Sequence, residues 1–234
     1  MTRFPRGVIN GGRLAVVRDR GGTLIALDIA TGAVLWRHGQ DLRPCAIHAD
    51  TVVAVRLAES PTLRAVVLAA EDGRQRWTSP TITLPVWARP ALDNKPGFTL
   101  HCQLAGDQIT INWTARARYE GGASPSRQIL DEHAREASGA VRLDLATLSM
   151  EMLPTLPSIA PAAPAQHTSL ASPRLAADVL DSTEAGTLRV ELAAEDRGGA
   201  DAVVLRAIDR CTAKAVWEIV LDEPISRRAP RLRP

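Results

Sequence analysis

The sequence predicts an all-β fold built from four copies of one strand–turn–strand unit. Three observations predict it. First, Gly22–Trp36 reads as two short alternating runs joined by a Thr31-Gly32 turn and closed by an indole. Second, the same offsets recur at Val67–Trp77 (Gly73, Trp77), Arg142–Met152 (Asp144, Thr147) and Ala207–Trp217 (Asp209, Thr212). Third, 45% of the residues are hydrophobic but only 3% aromatic, so small and β-branched side chains must fill the core and the five Trp stand out.

Self-similarity at a fixed offset marks a radial or linear repeat fold, in which one unit cannot bury its faces without neighbours. Thr-Gly or Asp-Gly between alternating strands supplies the positive φ that a tight turn needs. A Trp at the end of the unit suits the wedge between two twisted sheets. The pattern Ala-x-Asp-x-x-Thr-Gly-x-x-x-Trp, matched by Ala26, Asp28, Thr31, Gly32 and Trp36, resembles the repeat of pyrroloquinoline-quinone-type (quinoprotein-like) β-propellers, in a non-catalytic branch. The resemblance is strong over 5–36, fair over 44–77 and weak over 88–152 and 173–217. It implies that each repeat is a four-stranded blade and that the Trp docks blade on blade. The implied docking set is Trp36, Trp77, Trp217, Asp28, Gly32, Gly73, Asp144 and Asp209. The third copy departs from the pattern, with Leu148 at the Gly place and Met152 at the Trp place, so its blade is expected to be distorted.

A single domain over 1–234 is expected, with blades at about 5–37, 44–78, 88–152 and 173–220. Blade one reads as strands near 6–10, 13–18, 23–29 and 33–37, and blade two as 45–48, 51–57, 63–69 and 74–78. Blade three opens with a long hairpin, 98–105 and 108–119, in which Ile109, Ile111 and Trp113 share one face. The loop 120–126 leads into an expected short helix, 126–137, capped by Ser124 or Ser126. Prolines at 154, 157, 161, 164 and 173 make 153–173 an extended connector. Blade four reads as 174–180, 187–194, 202–208 and 214–219.

Catalytic chemistry is not legible. Quinone enzymes of the resembled family imply a vicinal cysteine disulfide and a calcium ion held by acidic and amide side chains. Here Cys45, Cys102 and Cys211 are far apart, and Asn10, Asn94 and Asn112 form no set with a Glu. No cofactor and no metal is expected. His133 and Glu136, i and i+3 on the expected helix, are too few to hold a metal. His101 and Cys102 point to opposite faces of a strand. The reading is therefore a non-enzymatic scaffold for protein–protein interaction, a subunit of a larger assembly. The alternatives are a quinone-dependent dehydrogenase subunit or a small-ligand-binding propeller.

Candidate partner-binding residues are Tyr119, Gln128, Asp131, Glu132, His133 and Arg135, in and beside the blade-three insertion, with Arg227, Arg228 and Arg231 of the basic tail (224–234) as second choice. A formal charge of +2 weighs against nucleic acid. No apolar run reaches the ~20 residues of a membrane span, and no signal peptide is read at the N-terminus. The expected location is cytoplasmic, or periplasmic if a leader was removed. Four blades are half of a common ring, so the sequence reading favours completion by a protein partner or second copy over a self-closed four-bladed ring.

Overall fold

The computed structural model describes residues 2–4, 7–10, 13–19, 21–39, 41–57, 61–88, 90, 97–117, 135–154, 177–196, 200–221 and 225–226. All regular structure in these residues is strand, arranged in four antiparallel sheets.

Sheet 1 runs β1 (Thr2–Phe4), β2 (Gly7–Asn10), β3 (Leu14–Arg18), β4 (Leu24–Asp28) and β5 (Val34–His38), in that spatial order. Sheet 2 holds β6 (Leu42–His48), β7 (Thr51–Leu57) and β8 (Thr62–Ala69), with β9 (Gln75–Thr78) and β10 (Ile82–Thr83) both paired to β8. Sheet 3 runs β11 (Phe98–Ala105), β12 (Gln108–Arg116), β13 (Glu136–Asp144) and β14 (Ser149–Leu153). Sheet 4 holds β15 (Ala177–Ala185), β16 (Leu188–Asp196) and β17 (Ala200–Asp209), with β18 (Ala215–Val220) and β19 (Ile225–Ser226) both paired to β17.

Two sequence expectations need correction. Sheets 1, 2 and 4 each carry a short extra strand (β1, β10, β19). Strands of two or three residues have no periodic signal to read. Glu136 and Ala137, placed at the end of a helix, begin β13 instead. Pairing to Arg116 and Ala115 across the ladder overrides their helix propensity. The remainder of the expected helix, 126–134, lies outside the described residues, as do 155–173 of the connector and 227–234 of the tail.

The chain divides into two compact units, Met1–His38 with His167–Pro234, and Gly39–Gln166. In the first, Ala15, Val17, Ile25 and Leu27 of sheet 1 share one core with Val190, Leu192, Leu205 and Ala207 of sheet 4. The first and last sheets of the chain are thus packed together. In the second, Val53, Val55 and Val67 of sheet 2 share a core with Leu100, Ile109, Ile111, Trp113, Val141 and Leu143 of sheet 3. His48 Nε2 and Asp107 Oδ1, 2.7 Å apart, tie a turn of sheet 2 to a turn of sheet 3.

The sheets differ in their second faces. β3 is buried at every position, and β7 at all but Arg56, the pattern of strands covered on both sides. β12 alternates strictly, with Ile109, Ile111, Trp113 and Ala115 buried between more exposed polar residues. The second face of sheet 3 is therefore polar: Thr99, His101 and Gln103 of β11, then Thr110, Asn112 and Thr114 of β12, then Ser138 and Arg142 of β13.

Candidate interaction surface

The four hairpins share one turn. In three of them an Asp Oδ1 accepts both the N–H and the hydroxyl of a Thr three residues on. The distances are 2.9 and 2.9 Å for Asp28–Thr31, 2.8 and 3.0 Å for Asp144–Thr147, and 2.7 and 3.1 Å for Asp209–Thr212. These Thr hydrogen bonds hold all three carboxyls below their ordinary value. In sheet 2, Ala69 stands in the Asp place. The fifth residue of every turn has positive φ: Gly32 (73°), Gly73 (72°), Leu148 (51°) and Ala213 (55°). The backbone conformation is kept even where glycine is not, at a cost of about 1–2 kcal/mol for an L residue.

Beyond the turn the hairpins diverge. Ala26 pairs with Trp36 but Leu27 with Val34, so Leu35 is an extra residue. Val67 and Ala207 pair likewise with Trp77 and Trp217, leaving Arg76 and Val216 as bulges. One inserted residue swaps the faces to which all later side chains point, and in each case it sets the Trp. The hairpin of sheet 3 has no bulge: Met152 pairs in plain register with Val141 and is 56% exposed.

Each Trp has its own setting. Trp217 Nε1 donates to the Ile29 carbonyl at 2.6 Å, from the last sheet to the first. Its ring lies on Gly32 so closely that a Cβ there would sit 2.6 Å from Cγ. Trp77 packs against the core of the second unit, and Trp36 is 7% exposed.

Sheet 3 also holds a pairing that the sequence did not reveal. Trp113 lies directly opposite Gly139, and a Cβ on Gly139 would be 2.6–2.7 Å from the indole. The Trp113 Nε1–H is buried with no acceptor among the described residues. Cross-strand register, absent from a linear reading, is what joins the two. The sequence reading also missed the charged cluster of sheet 4, where Arg206 bonds Glu191 (3.0 Å) and Glu195 (2.7 Å), and Arg189 meets Glu191 at 2.6 Å.

Of the partner-binding candidates, Tyr119, Gln128, Asp131, Glu132, His133, Arg227, Arg228 and Arg231 lie outside the described residues. Arg135 is exposed, and its carbonyl accepts the Ala117 N–H at 2.8 Å as the insertion rejoins the sheet. Glu136 bonds Arg116 at 3.1 Å rather than sharing a helix face with His133. No group of three metal-ligating side chains, and no helix long and apolar enough to cross a membrane, occurs among the described residues.

The hairpins of sheets 1 and 2 lie in a segment with a known counterpart. Residues 2–96 match the family model described as outer membrane protein assembly factor BamB. Over that segment the chain carries a quinoprotein-like repeat. No curated protein matches the chain. Among solved structures, BamB from Moraxella catarrhalis is 16% identical, with 94% of this chain and 77% of that one covered and a TM-score of 0.30. The Cps50 (Swd1) β-propeller domain of Myceliophteria thermophila is 12% identical over 96% of this chain and 58% of its own, with a TM-score of 0.34. Protein lmo1340 from Listeria monocytogenes EGD-e is 8% identical over 94% and 67%, at 0.35.

Proposed function

We propose that this chain is a non-enzymatic propeller scaffold that binds protein partners, a component of a larger assembly. The observation that carries the reading is the family match over 2–96, whose description is that of an assembly factor. The hairpins support it, because their Asp, Thr, Gly and Trp residues are spent on turn geometry and sheet packing. The same description favours the periplasmic alternative for location over the cytoplasmic one.

Affinity capture of the tagged full chain from native cells, with mass spectrometry, tests the function. A stoichiometric protein partner is the expected result, and a chain that captures none would contradict it.

A further inference from the structure

Sheets 2 and 3 belong to one compact unit and share one core. They meet along β6 and β11, the first strand of each, where Cα atoms come within 8 Å. The His48–Asp107 bond joins the end of β6 to the turn after β11, so the two strands run side by side in one direction. Each carries a buried cysteine: Cys45 in β6, 2% exposed, and Cys102 in β11, 5% exposed.

Both side chains face the shared core. In β6, Pro44 pairs with Ala54 and Ala46 with Val53, so Cys45 is an extra residue. The bulge puts Cys45 and Ala46 together on the side of Val53, and these are the two residues that β6 contributes to the core. β11 alternates and contributes Phe98, Leu100 and Cys102, with Leu104 at the margin. Cys45 lies three residues before His48, and Cys102 five before Asp107. The difference, about 7 Å of strand, is spanned by the His48 and Asp107 side chains and their 2.7 Å bond. Cys45 and Cys102 therefore stand at one level on facing sides of the core.

We propose that Cys45 and Cys102 form a disulfide that staples sheet 2 to sheet 3. The oxidant is a disulfide donor, a small-molecule disulfide or an oxidised dithiol protein. One cysteine thiolate attacks a donor sulfur and releases the first donor thiol. The second cysteine thiolate attacks the protein sulfur of this mixed disulfide, forms the Cys45–Cys102 bond and releases the second donor thiol. Two protein thiols are oxidised, the donor disulfide is reduced, and the two protons pass to the donor thiols. A donor reaches neither sulfur in the closed core, so the exchange takes place during folding, before the sheets close. Cys211 is exposed in the turn of sheet 4 and takes no part. The periplasmic location favoured above is an oxidising one. In the cell the bond rests on that location, whereas the test does not.

The test refolds the full chain from denaturant, once in a mixture of reduced and oxidised glutathione and once in excess reductant. Remaining thiols are then alkylated and the peptides mapped by mass spectrometry. The oxidised product should carry a Cys45–Cys102 link and leave Cys211 out of it. Its melting temperature should exceed that of the reduced chain by roughly 10 °C, the shift for a loop of this length in a chain of this size. Cys45→Ala and Cys102→Ala should each abolish both the link and the redox dependence of melting, whatever either does to core packing. Cys211→Ala should leave both intact. No Cys45–Cys102 link, a link through Cys211, or equal melting temperatures in the two redox states would each overturn the proposal. The scaffold reading stands or falls separately, on partner capture.

Discussion

The hairpins of sheets 1, 2 and 4 and the hairpin of sheet 3 share a turn but use it differently. Three add a bulge and a Trp, and each Trp is set by that bulge. The fourth has neither, ends on an exposed Met152, and belongs to the sheet whose second face is polar. The turn alone makes a hairpin. The extra residue decides where the Trp points, and in the last hairpin it places the indole on Gly32 of the first.

The largest expected difference lies between Trp36→Ala and Met152→Ala. The first removes a large buried aromatic and should cost about 3–5 kcal/mol. The second touches an exposed side chain and should stay within about 0.5 kcal/mol. Urea unfolding of both variants measures this, and equal losses would break the comparison.

Next comes Gly32→Ala. Its Cβ would collide with the Trp217 ring at 2.6 Å, and its φ of 73° is unfavourable for any L residue. A loss of roughly 2–4 kcal/mol is expected from overpacking and backbone strain together. Ala213→Gly should act in the opposite direction. It relieves a φ of 55° at an exposed turn and should raise stability by about 0.5–1 kcal/mol, the strain relieved being partly offset by the greater chain entropy of glycine.

The smallest effect is in acid. Asp28, Asp144 and Asp209 have folded pKa values below the unfolded one. Their contribution is complete above the unfolded value, near 3.9, and is lost as the pH falls through the folded values. Asp209→Asn should flatten the acid limb of a melting-temperature profile taken below pH 5. The turn of sheet 2 has Ala69 in the Asp place and so lacks this Asp–Thr bond.

Much of this fold was legible. The hairpin offsets placed the outer strands of sheets 1, 2 and 4 within a residue or so, because a turn and a terminal Trp leave marks in sequence. What stayed hidden depends on partners far along the chain. Leu148 and Ala213 hold a left-handed conformation that their side chains do not advertise. The two-residue strands β10 and β19 are too short for a period. The bulges at Leu35, Arg76 and Val216 look like any strand residue until the register is known. Of the partner-binding candidates, only Arg135 falls among the described residues, while the Trp113–Gly139 pair emerges from pairing alone.

The claim that the last hairpin clasps the first is tested most directly by a double-mutant cycle on Gly32→Ala and Trp217→Ala. With Trp217 present, the new methyl meets the ring. With Trp217 removed, only backbone strain remains, about 1–2 kcal/mol. The account predicts a coupling of at least about 1 kcal/mol between the two sites. Strict additivity would contradict it.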